Sequence, residues 1–157
     1  MSGSPAGAVT VRCDAAIGSE HVPPAGFEVI GGAVALPAGP ARTRALQAGV
    51  GDLPDGGTGL FAKQGLLVRR GEMVELIVPE ELRGRFWLEW GGLRTPSDHV
   101  VVDRCDGNDE WVVFVGGYFV RRAACLPVMV RVRGGEPRQV HIGVGAPCPG
   151  QSPAPRI

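Results

Sequence analysis

Apolar residues in this chain recur at every second position over short stretches, and no long stretch carries them at helical spacing. Phe86, Leu88 and Trp90 alternate with Trp87 and Glu89, and Val74, Leu76 and Val78 alternate with Glu75 and Ile77. Val128, Val130 and Val132 alternate with Met129, Arg131 and Arg133, and Val140, Ile142 and Val144 follow the same rule. Successive side chains of a strand point to opposite faces, so a period of two predicts strands with one dry face and one wet face. Residues 9–11, 27–36, 60–62, 66–68, 100–102, 111–115 and 118–120 add further short apolar runs. The Arg69-Arg70-Gly71 turn makes 66–68 and 73–78 read as a β-hairpin. Gly31-Gly32 suits a bulge or a close backbone crossing within 27–36. Pro79 ahead of Glu80 and Glu81 predicts a single helical turn, ended by Gly84.

The best-patterned stretch is 111–148. Trp111 opens an apolar strand that Gly116-Gly117 interrupts and Tyr118 resumes, and Gly134-Gly135 turns the last two strands back to back. Eight to ten short strands at spacings of ten or so residues predict an all-β fold. The expected form is a disulfide-stapled β-sandwich, immunoglobulin-like in broad architecture, with at most short helical turns. The expected organisation is a flexible linker over 1–7, one domain over 8–148 and a disordered Pro-rich tail over 149–157. Residues 14–25 and 37–58 read as loops, the second of them unusually long.

Composition changes this picture little. A chain of 157 residues can bury a substantial core. Its 25 glycines and 14 prolines make up about a quarter of the residues and fit turns between many short strands. Sixteen basic and sixteen acidic residues cancel, so no broad electrostatic case exists for nucleic acid or an anionic membrane. The N-terminus carries no hydrophobic run, and Met1-Ser-Gly-Ser4 reads as a linker ahead of a mature domain. No membrane insertion by this chain is expected.

Cysteine spacing says more. Cys13, Cys105, Cys125 and Cys148 contain no CxxC pair, which argues against zinc and for two disulfides in an oxidising compartment. Four cysteines allow three pairings. Cys13–Cys148 with Cys105–Cys125 is the expected one, because in many immunoglobulin-like sandwiches the first strand lies parallel to the last.

Candidate chemistry is sparse. Ser97, Asp98 and His99 are neighbours in sequence and do not form a triad by that alone. Asp103, Asp106, Asp109 and Glu110 lack the spacing of a calcium loop, and a polar turn accounts for them. No cofactor, metal or catalytic residue is assigned. The aromatics offer more, since an outward-facing Trp87, and Tyr118 or Phe119, could form a stacking platform for sugars or a hot spot for a protein. Arg121, Arg122, Arg131, Arg133 and Arg138 would give a basic patch on the wet side. Trp87, Trp111, Tyr118, Arg131 and His141 are therefore the candidate ligand-binding residues.

The segments LFAKQGLLVRRGEMVELIVP (60–79), WVVFVGGYFVRRAACLPVMVRV (111–132) and VHIGVGAPCPG (140–150), with TVRC at 10–13 and LEWGG at 88–92, carry a resemblance. They resemble an uncharacterised group of secreted or membrane-tethered proteins of high-GC Gram-positive bacteria with no assigned activity. The resemblance implies an exported domain at the cell envelope and transfers no catalytic residue. The expected function is a monomeric, extracellular, non-enzymatic binding module for a cell-wall polymer, a polysaccharide or another envelope protein. A structural spacer and a hydrolase built from scattered acids with His99 or His141 are the alternatives.

Overall fold

The computed structural model describes residues 7–92, 95–107 and 110–155. Residues 1–6 of the expected linker, Asn108 and Asp109 of the polar turn, and residues 156–157 of the tail lie outside the described residues. The strands are β1 (Val9–Val11), β2 (Gly18–Glu20), β3 (Glu28–Ile30), β4 (Val34–Leu36), β5 (Gly49–Asp52), β6 (Thr58–Lys63) and β7 (Leu66–Arg69). They continue with β8 (Val74–Ile77), β9 (Phe86–Trp90), β10 (His99–Val102), β11 (Trp111–Phe114), β12 (Gly116–Val120), β13 (Ala124–Val132) and β14 (Arg138–Val144). Helical structure among the described residues is confined to two 3-10 turns, Cys13–Ala15 and Glu80–Leu82. The fold is all-β, as the alternation predicts.

Three sheets enclose the core. The first has the order β1-β10-β8-β13-β14, the second β2-β11-β7-β4-β3, and the third β5-β6-β12-β9. Within the sheets neighbours run antiparallel except for β1 and β10, which are parallel. The inward rows predicted by the alternation meet in one apolar core: Val74 and Leu76, Phe86, Leu88 and Trp90, Val128 and Val130, Val140, Ile142 and Val144. Each such side chain removed from water contributes about 1.5–3 kcal/mol.

The second and third sheets part company at one corner. The chain passes from β6 to β7 through Gln64-Gly65 and from β11 to β12 through Val115, so both ribbons leave one sheet and enter the other at the same place. The Gln64 amide donates to the Gly116 carbonyl at 2.9 Å and holds the two crossings together. Glycine is required there by space. A Cβ on Gly116 would collide with the Glu89 carbonyl and Trp90 Cα, and one on Gly117 with the Ala62 carbonyl. The glycine interruption predicted in this ribbon is therefore a sheet-to-sheet switch.

Several expectations need correction. The stretches 66–68 and 73–78 do not form a hairpin with each other. β7 pairs with β4 and β11, whereas β8 pairs with β10 and β13 in another sheet. Alternation identifies strands but does not say which pair. Residues 27–36 are two strands, β3 and β4, because Gly31 and Gly32 both take positive φ and turn the chain. The region 37–58 is no irregular loop: it contains β5, buries Ala38, Ala45, Leu46 and Leu53, and bridges Leu46 to Val144. The loop read over 14–25 contains β2.

The tail is ordered through residue 155. Ser152 and Thr43 are joined by a 2.9 Å backbone bond, Ala45 donates to the Ser152 carbonyl at 3.0 Å, and Gln151 Nε2 donates to the Arg42 carbonyl at 2.9 Å. Proline content predicts disorder, but proline keeps its carbonyl, and residues 42–45 supply both acceptors and donors to the tail, Arg44 Nε donating to the Pro153 carbonyl at 3.0 Å.

The disulfide pairing is also corrected. The bonds are Cys13–Cys105 and Cys125–Cys148. The first strand lies parallel to β10 and not to β14, with Val11 opposite Val102, so the chain beyond each strand brings Cys13 and Cys105 together. Cys125 sits opposite Gly143 in the β13–β14 pair, and the chain beyond β14 folds back to place Cys148 against it. Sequence separations of 92 and 23 residues correspond to about 5 and about 3 kcal/mol on a chain-entropy model.

Two measurements check this architecture. Peptide mapping without reduction is expected to yield the Cys13–Cys105 and Cys125–Cys148 pairs and no Cys13–Cys148 species. Gly116→Ala is expected to lower the unfolding free energy in urea by about 1–3 kcal/mol, because the strands flanking β12 must separate to admit a methyl group.

Candidate ligand-binding face

The outward face of the third sheet follows from the register. Tyr118 lies opposite both Ala62 and Leu88, and all three point inward. One position on, Phe119 lies opposite Phe61 of β6 and Trp87 of β9, and these three point outward. Trp87, Phe119 and Phe61 thus form a continuous half-buried aromatic row across three adjacent strands. The rings of Phe61 and Phe119 are 4.7 Å apart between centroids and tilted by 47°. On the next row Gly117 stands between Lys63 and Glu89 and is buried, with the Phe61 ring packed where a side chain would begin. A cavity of about 350 Å³ opens beside Phe61, with Lys63, Glu89 and Gly92 on its walls.

Arg121 closes the other end of the row. Its guanidinium carbon lies 5.5 Å from the Trp87 ring centroid, within cation–π range. Arg121 also donates to Asp55 and, at 3.1 Å, to the Gly84 carbonyl. The guanidinium beside Asp55 holds that carboxyl below the usual carboxylate range.

Beneath the row lies a polar knot at the sheet-to-sheet corner. The Tyr118 hydroxyl donates to Gln64 Oε1, Trp90 Nε1–H donates to the Gln64 carbonyl at 2.9 Å, and Gln64 Nε2 donates to the Gly65 carbonyl at 2.6 Å. Trp90 meets Tyr118 edge to face at 5.3 Å. Burial pushes the Tyr118 phenol far above its ordinary value, so it stays protonated and remains a donor.

The structure does not bring the five sequence-predicted residues together. Trp87 faces outward on the third sheet, as expected. Tyr118 is fully buried, because the parity that exposes Phe119 turns its neighbour inward. Trp111 is 6% exposed and packs with Ala35 and Leu67 on the outer side of the second sheet, with Phe27 and Val113 packed against that cluster. Trp111 and Tyr118 therefore present no ring to a surface-bound ligand, contrary to expectation. Arg131 and His141 lie on the outer face of the first sheet: Arg131 Nη1 is 3.6 Å from Glu75, and His141 meets Gln139 at 3.1 Å.

The expected arginine patch resolves into ion pairs. Arg121 pairs with Asp55, Arg131 with Glu75, Arg133 with Glu72 and Arg138 with Glu28. Arg122 is the member of that set with no ionic partner among the described residues. Phe61 escaped sequence reading because β6 alternates weakly, with Leu60 beside it only partly covered.

Histidine–acid chemistry finds one real contact. His99 Nε2 lies 2.9 Å from Glu75 Oε1, with Arg131 on the other carboxylate oxygen. Neither His99 nor Glu75 lines any of the four cavities of about 350–440 Å³. Ser97 Oγ turns instead to the backbone of His99, and Asp98 pairs with Arg83 at 3.3 Å.

No protein-family model, no curated protein and no solved structure matches this chain.

Tyr118 is the single tyrosine, so its ionisation can be followed by near-ultraviolet absorbance alone. A phenol raised in the folded state stabilises the fold fully below its unfolded value and ceases to do so as pH rises above it. Phenolate absorbance is therefore expected to stay absent past about pH 10 and to appear only with unfolding, whereas Tyr118→Phe is expected to cost about 1–3 kcal/mol in urea by stranding Gln64 Oε1.

Proposed function

We propose that this chain is a non-enzymatic binding module working outside the cytoplasm at the bacterial cell envelope, and that the outward face of its third sheet holds a polysaccharide. The observation that carries the reading is the Trp87–Phe119–Phe61 row in direct cross-strand register. Strands lie about 4.8 Å apart, so the row offers apolar ring faces over roughly 10 Å, as a flat and repetitive ligand would use them. Lys63, Glu89 and Arg121 place polar groups along its rim. Mixed apolar faces with a few polar groups suit sugars, which are apolar on their ring faces and polar at their edges.

The two disulfides support an oxidising compartment. The resemblance to secreted or membrane-tethered proteins of high-GC Gram-positive bacteria points the same way. A structural spacer has no use for an outward aromatic row, and the Glu75–His99 contact has no cavity in which to act on a substrate, so neither alternative is favoured.

Retention on insoluble cell-wall and plant polysaccharides tests the reading. Retention of the wild type on at least one polymer is expected, with a tenfold or greater loss for Trp87→Ala and Phe119→Ala, in keeping with truncation of an aromatic anchor. Val50→Ala, at an exposed position of β5, is expected to bind like the wild type. Undiminished retention of both aromatic variants, with their folds intact by circular dichroism, would remove the third sheet from consideration.

A further inference from the structure

The aromatic row does not end at Trp87. Arg121, whose guanidinium lies 5.5 Å from the centroid of that ring, is also a wall of the cavity next to it, of about 440 Å³. The cavity opens where the chain leaves β12 and crosses to β13 in the first sheet. Its floor is apolar, made by Leu82, Phe86, Ala124, Leu126 and Pro127. Three arginines, Arg85, Arg121 and Arg122, also line the cavity, and no carboxylate residue does. Glu80 and Glu81, in the 3-10 turn that contributes Leu82, are exposed and stand outside the lining.

The three arginines differ in how their charge is used. Arg121 is held by Asp55 and by the Gly84 carbonyl, which fixes its position. Among the described residues, Arg85 and Arg122 make no ion pair and no side-chain hydrogen bond, although most other arginines of this neutral protein are paired. Two unpaired arginines beside a fixed third, in a cleft otherwise lined mostly by apolar residues, favour an anion. Guanidinium recognises carboxylate and phosphate through paired N–H donors.

We infer that this cleft is an anion-binding subsite that receives a carboxylate or phosphate group carried by the glycan bound on the aromatic row. The inference rests on the glycan reading above for the source of the anion, and on the cleft itself for the charge. Arg121 joins the two parts: it presents one face to Trp87 and borders the cleft. A polymer lying along Phe61, Phe119 and Trp87 would continue past Arg121 and place its acidic substituent between Arg85 and Arg122. The ligand class is thus an anionic glycan, with uronic-acid carboxylates or phosphodiester links along its chain.

The test pairs polymers that differ only in charge and adds a free anion. Retention and affinity electrophoresis would compare a polyuronate with its carboxyl-reduced counterpart, and a phosphodiester-linked polymer with its neutral backbone. Amide shifts of Arg122, Ala124 and Leu126 would be followed by NMR as inorganic phosphate is added. The wild type is expected to favour the charged polymer at least tenfold, with a preference that falls as salt rises, and phosphate is expected to shift the cleft amides. Arg85→Gln combined with Arg122→Gln is expected to abolish the preference and the phosphate response while leaving retention on the neutral polymer. Both positions are exposed, so the double variant is expected to fold.

Wild-type preference and phosphate response unchanged in the double variant would overturn the subsite and leave the glycan reading standing. Phosphate shifts lost in the double variant, together with no retention of the wild type on any polymer, would uphold the anion site and overturn the glycan as its source.

Discussion

The fold depends on the corner where two ribbons change sheets together. β6 gives way to β7 and β11 to β12 at adjacent points, and there the backbones approach too closely for side chains at Gly116 and Gly117. A sheet that splits loses ladder hydrogen bonds at the split, and buried polar groups left without partners cost about 1–3 kcal/mol each. Gln64 meets that demand. Its amide bonds Gly116, its carbonyl takes the Trp90 indole, and its side chain takes the Tyr118 hydroxyl. The knot is buried between large aromatics, so its bonds form in a low dielectric where they are strongest.

That corner also sets the functional surface. Because β12 enters the third sheet at Gly116, its parity is fixed: Tyr118 turns in to Gln64 and Phe119 turns out to meet Phe61 and Trp87. A one-residue slip would exchange the two faces. The aromatic row is thus mounted on strands rather than loops, over a bed locked by hydrogen bonds, which limits the ordering that ligand binding would require. The arginine-rimmed cleft lies a few residues further along the same strand, where the chain departs for β13. One segment, 116–127, contributes to the corner, the platform and the cleft.

Much of this was legible in the sequence. Alternation located β8, β9, β13 and β14 and identified the buried rows that meet in the core. The apolar runs marked most of the remaining strands, and the double glycine at 116–117 marked the break. Strands of three or four residues with little apolar pattern, β2 and β5 among them, gave no local signal. The order of residues 149–155 was equally hidden, since it arises from backbone partners a hundred positions away. Among the candidate residues, Trp87 was placed correctly by parity with Phe86 and Leu88. Sequence alternation does not separate Tyr118 from Phe119, because a glycine break resets the count.

The sequence by itself determined the class of this protein: many short amphipathic strands, one apolar core and cysteines suited to disulfides. Those properties follow from side-chain period and composition, which are local. The tertiary structure alone decided which strands pair, and with that everything combinatorial. Cys13 joins Cys105 because β1 lies parallel to β10. Phe61 and Trp87 flank Phe119 because β6 and β9 flank β12. Several arginines find carboxylates far away in sequence, such as Arg121 with Asp55 and Arg131 with Glu75, whereas Arg85 and Arg122 meet at one cleft. Register and strand order are relations between distant segments, fixed by how buried faces fit together, and no periodicity within a segment encodes them.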